Sequence, residues 1–106
     1  MGRVDSIHFK RTLRTASSER LLGLLDGRDA VAVDLHFLPD GRATGTVTVL
    51  EACGLGAGGF EAGEIPALLA RIDEDFLPGI DLEDGGVTFT VVIARSAESF
   101  ESAAGA

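Results

Sequence analysis

The chain has 106 residues and a mass of 11.0 kDa, 45% hydrophobic and 25% charged, with a mean hydropathy of +0.25; it is too short for two cores and too apolar for a disordered segment. Nine basic against 17 acidic side chains give a net charge of −8 and a pI near 4.5, which sets the surface against phosphate backbones and anionic membranes, so neither nucleic acid nor membrane is an expected partner. The single cysteine, Cys53, excludes an internal disulfide and a cysteine-rich zinc cluster, and no apolar run approaches the roughly 18 residues of a membrane span or forms a signal peptide, so a cytoplasmic location is expected.

In chain order, residues 5–14 place Ile7, Phe9 and Leu13 on one parity and His8, Lys10 and Thr12 on the other, the period of a half-buried strand. Ser17 and Ser18 suit an N-cap, a compact leucine run follows, and Asp26-Gly27 supplies a stop, so a two-turn helix is expected over 18–26. Residues 30–38 and 43–52 alternate again around the turn signal Pro39-Asp40-Gly41. A three-residue loop there sets Val33 against Val47, Val31 against Val49, and Phe37 and Leu35 against Ala43 and Gly45, all on one face. Asp34 then faces Thr46, and His36 faces Thr44, on the other.

A glycine-rich loop spans 54–63. Ile65, Leu68, Leu69, Ile72 and Phe76 then form the stripe of an amphipathic helix, with Pro66 at its start and Pro78-Gly79 at its end. Asp84-Gly85-Gly86 turns into a last strand over 87–95, where Val87, Phe89, Val91 and Ile93 alternate with Thr88 and Thr90. The expected architecture is α+β: a single-domain, ferredoxin-like β-α-β-β-α-β two-layer sandwich over 1–95, with an antiparallel sheet, both helices on one face, and a flexible tail over 96–106. In that layout the second and fourth strands are edges, and the open face carries His8, Lys10, Asp34, His36, Thr44, Thr46, Thr48, Thr88 and Thr90.

Three constellations bear on chemistry. Gly54-Leu55-Gly56-Ala57-Gly58-Gly59 matches a dinucleotide fingerprint formally, but that motif needs a buried parallel strand before it and a helix opening inside the glycines, so a crossover loop is expected and no cofactor. His8, Asp34 and His36 share the open face as candidates for proton transfer or metal ligation; the expected layout sets the histidines about 9 to 10 Å apart, awkward for one ion, and the acidic segment that follows lacks calcium-loop spacing, so no metal is expected. Asp73, Glu74, Asp75, Asp81, Glu83 and Asp84 lie in a twelve-residue segment without a basic residue, suited to a basic protein partner such as a toxin or nuclease that the chain inhibits. The phenylalanines Phe9, Phe37 and Phe89 have core parity, which leaves the open face without the aromatics of an RNA-recognition sheet.

Met1-Gly2 followed by Ser6 fits a myristoylation pattern that an immediate strand and the bacterial cast of an arginine-rich, Ala/Gly-rich composition disfavour. The favoured function is a non-enzymatic interaction module that forms a homodimer through its open face. The alternative is a dimeric α+β-barrel enzyme or ligand-binding protein that uses the His/Asp/Thr face.

Overall fold

The computed structural model describes residues 3–60, 64–77 and 86–97. Five strands form one mixed sheet in sequential order: β1 His8–Arg14, β2 Ser18–Leu25, β3 Arg28–Phe37, β4 Ala43–Leu50 and β5 Val87–Ala94. Short 3-10 turns occupy Arg3–Ser6 and Glu51–Cys53, and the helix α1, Glu64–Phe76, links β4 to β5. The first four strands pair antiparallel, while β4 and β5 pair parallel. Among the described residues the result is a small α+β domain with one helix, not the ferredoxin-like β-α-β-β-α-β layout, and its sheet is not wholly antiparallel.

The correction begins at residues 18–26, which form β2 instead of a helix. Asp26 and Gly27 both have left-handed backbones, φ 54° and 77°, which is the requirement of a two-residue type I′ hairpin and joins β2 to β3. Thr15 and Ser18 close the preceding hairpin through Thr15 N to Ser18 O at 2.8 Å and a 2.7 Å hydroxyl contact. With β2 in the middle of a meander, the edges are β1 and β5.

The β3–β4 hairpin has the expected register throughout, from Phe37 opposite Ala43 to Val31 opposite Val49. Leu38 N donates to Arg42 O at 2.8 Å and Gly41 takes φ 89°, which closes the Pro39-Asp40-Gly41 loop.

One face of the sheet is covered by α1. Leu21, Val31, Val33, Leu35, Val47 and Val49 form a buried core with Ile65, Leu68 and Ile72, and Val4, Ile7 and Leu55 extend it. At both edges an aromatic lies over a glycine of the neighbouring strand, since Phe9 is paired with Gly23 and Phe89 with Gly45. A Cβ on Gly23 would stand 2.9 Å from Ile7 Cγ2 and 3.0 Å from Phe9 Cε1; one on Gly45 would stand 2.9 Å from Phe89 Cδ1 and 3.0 Å from Leu35 Cδ2. These two positions are glycine because the rings occupy the space of a side chain. Phe9 also meets Phe76 edge-on at 5.5 Å and carries the Arg71 guanidinium 4.8 Å above its ring centroid.

A bulge in β1 between Arg11 and Leu13 brings Arg11 and Arg14 onto the covered face, around Glu19. Glu19 is only 6% exposed, and its carboxylate lies 3.0 Å from Arg11 Nε and 3.4 Å from Arg14 Nε. Arg3 ties the opposite corner together. Its guanidinium meets Glu64 at 2.6 Å and donates to the Cys53 carbonyl at 2.7 Å, which raises the Arg3 pKa further and holds the Glu64 carboxyl below its ordinary 4.5.

Candidate functional site

The face of the sheet opposite α1 has no helix on it among the described residues, and the strand register divides it into two halves. One cross-strand row runs Leu13, Arg20, Asp34, Thr46, Thr90, and the next runs Ser18, His36, Thr44, Thr88. Toward the other end lie the row Lys10, Leu22, Ala32, Thr48, Val92 and, beyond it, the row His8, Leu24, Asp29 and the pair Leu50 and Ala94. The threonine, Asp34 and histidine parities are as expected. Leu22 and Leu24 were missed, because β2 read as a helix, and with them the apolar half of this face.

In the polar half, Arg20 Nε donates to Asp34 Oδ1 at 2.7 Å across the β2–β3 pair, and this hydrogen bond raises the Arg20 pKa. The Asp34 carboxylate is therefore already engaged. His36 is exposed between Ser18 and Thr44. His8 lies two strands away on β1, opposite Leu24, whereas His36 is opposite Ser18, six residues along β2. That separation amounts to roughly 20 Å along the strands and 10 Å across them. The sheet thus brings Asp34 and His36 onto one end and leaves His8 at the other. Among the described residues no three His, Cys, Asp or Glu side chains gather in ion-binding geometry.

At the Leu22 end of the face, a concavity of about 320 Å³ is lined by Leu22, Ala32, Thr48, Leu50, Asp29 and Ala97, among others. Val92 is 43% exposed beside it. A second concavity of about 500 Å³ lies among Arg3, Leu25, Asp26, Arg28, Ala52 and Cys53, and of its two arginines Arg3 is held by Glu64 and the Cys53 carbonyl.

Of the acidic segment, Asp73, Glu74 and Asp75 form the last turn of α1, and Asp81, Glu83 and Asp84 lie outside the described residues, as do Pro78-Gly79 and the tail beyond residue 97. Glu74 and Asp75 are exposed, with Asp75 Oδ2 3.3 Å from Arg71 Nε. Asp73 Oδ1 is buried without a hydrogen-bond partner among the described residues.

The glycine loop is packed as far as it is described. Leu55 is buried and Gly56 lies against Ile93, while α1 opens at Glu64, ten residues after Gly54. The strand before the loop does pair parallel with β5, contrary to expectation, but the helix does not open inside the glycines, so no amides of its first turn stand there for a pyrophosphate. Phe9, Phe37 and Phe89 pack against the core on the covered side. No helix of the described residues is long and apolar enough to cross a membrane.

No protein-family model matches the chain, and no curated protein or solved structure is detectably similar to it.

Proposed function

We propose that the protein is a non-enzymatic interaction module that self-associates through the open face of its sheet, with the acidic end of α1 available to a basic protein partner. The observation that carries this reading is the apolar cluster at the Leu22 end of that face, Leu22, Leu24, Ala32, Leu50, Ala94 and the exposed Val92, interspersed with Thr48 and bordered by His8, Lys10 and Asp29, on a chain of net charge −8. A second copy related by a two-fold axis covers this band with the same band, and the flanking threonine hydroxyls hydrogen-bond across the interface. The alternative of an enzyme using His8, Asp34 and His36 has less support, since His8 lies far from the other two and the Asp34 carboxylate is paired with Arg20.

The test is sedimentation at micromolar concentration with wild type and Ala32→Arg, which places a cation in the middle of the band. Wild type associates and the variant loses that association while keeping its circular dichroism spectrum. Ala32→Arg sedimenting like an associated wild type, or a wild type that is strictly monomeric, removes the proposal.

A further inference from the structure

We propose that the free edge of β5 is a separate self-complementary interface, at which β5 of one copy pairs antiparallel with β5 of a second and joins two five-stranded sheets into one. The two edges of the sheet differ sharply. Edge strand β1 carries Lys10, Arg11 and Arg14 and is broken by a bulge, the devices by which edge strands resist pairing. Edge strand β5, Val-Thr-Phe-Thr-Val-Val-Ile-Ala, has no charge, no proline and an unbroken eight-residue register against β4.

The unpaired backbone groups of β5 can be assigned. Gly86 O accepts from Ala43 N at 2.7 Å, so the Gly86 carbonyl points at β4. Backbone direction alternates along a strand, so Thr88, Thr90, Val92 and Ala94 also face β4, while the N–H and C=O of Val87, Phe89, Val91 and Ile93 point away from the sheet. No described residue hydrogen-bonds to those outward groups.

A second copy is the occupant that fits them. A two-fold axis normal to the sheet makes the strands antiparallel, keeps both α1 helices on the same side, and can pass midway between the two copies of Thr90. Val87 then faces Ile93 of the second copy and Phe89 faces its Val91, so four pairs exchange about eight hydrogen bonds. Apolar residues meet on the covered face, and Thr90 meets Thr90 on the open face. Charge favours the same choice. The chain is at net −8, yet nothing between Val87 and Ala94 is charged, so two copies join there without bringing carboxylates together.

The proposal is independent of the open-face reading, and the experiment separates them. Val91→Pro removes an outward N–H without touching the β4 ladder, and Thr90→Lys sets two ammonium groups against each other on the axis. Both are followed by sedimentation beside wild type and Ala32→Arg. Amide exchange of Val87, Phe89, Val91 and Ile93 is measured in dilute and concentrated wild type. Edge pairing makes these four amides slow with rising concentration, and Val91→Pro and Thr90→Lys lose the edge contact while Ala32→Arg retains it. If Val91→Pro fails to fold, Thr90→Lys and the exchange data carry the test. A concentration-independent protection of these amides means that a segment of the same chain covers the edge and overturns the proposal, as does a wild-type association state that is unchanged in both β5 variants. Loss of association in Ala32→Arg alone supports the open face and refutes the edge.

Discussion

Replacing Gly45 by alanine probes the aromatic-over-glycine device directly. Gly45 has no left-handed backbone, so the cost is steric: the new methyl would stand 2.9 and 3.0 Å from two atoms of the Phe89 ring and 3.0 Å from Leu35 Cδ2. Overpacking of this kind costs about 1 to 3 kcal/mol. The reduced entropy of the unfolded chain returns about 0.4 to 1 kcal/mol. Phe89 is half-buried on an edge strand and can tilt outward, whereas Leu35 is fully buried, so the net loss falls near ~1 to 2 kcal/mol. For a chain of this size that is a fall in Tm of roughly 4 to 12 °C. Phe89→Leu frees space over residue 45, and the double variant G45A/F89L is more stable than the two single losses predict, by on the order of 1 kcal/mol. Thermal melts followed by circular dichroism complete the cycle. A Tm for G45A at or above wild type, or strictly additive effects, refutes the claim that the ring fills the glycine's place.

Leu68→Ala, in the fully buried stripe of α1, lowers stability by about 2 to 5 kcal/mol with an unchanged denaturant slope; a loss under about 1 kcal/mol in urea titration contradicts the core assignment. The Glu64 carboxyl, held below 4.5 by the Arg3 guanidinium, contributes stability that is present above pH 4.5 and drains away as pH falls below it, so the acid limb of a Tm-versus-pH curve is shallower in Glu64→Gln. Superimposable acid limbs refute that role. Asp40, held below 3.8 by the amide and guanidinium of Arg42, acts in the same sense at lower pH. Glu74→Lys, exposed in the last turn of α1, relieves an unfavourable dipole contact and gains about 0.3 to 1 kcal/mol, so a lower Tm refutes the dipole argument.

The β3–β4 hairpin and α1 are legible in the sequence because each has one arrangement that sorts all of its residues: a single register puts Val31, Val33, Leu35 and Phe37 with Ala43, Gly45, Val47 and Val49, and a single stripe joins Ile65 to Phe76. β2 lacks such a signature. Leu21 and Leu25 point into the core while Leu22 and Leu24 lie on the open face, so the strand is apolar on both sides and its period of two vanishes into a leucine run. The signal that identifies it is Asp26-Gly27, the strongest short hairpin pair, which also resembles a helix stop. One misassigned element carries the topology with it, moves β1 to an edge, and hides half of the open face. The parities of His8, Asp34 and His36 were readable; their distances depended on strand order, which is non-local. The Arg11–Glu19–Arg14 cluster depends on a bulge that no local pattern announces.

The sequential strand order also shapes how the molecule acquires its structure. β1 to β4 are joined by tight turns and zip together through neighbours, on the microsecond scale of hairpin formation. β5 is different: its partner Ala43 stands some forty residues before Val87, so docking it closes a loop that contains the whole of α1. Until that closure, the amides and carbonyls of Ala43, Gly45, Val47 and Val49 face open solvent along an uncharged strand. Loop closure therefore predicts that the arrival of β5 is the slow step of refolding, with β4 the segment through which crowded, half-finished chains would cling to each other.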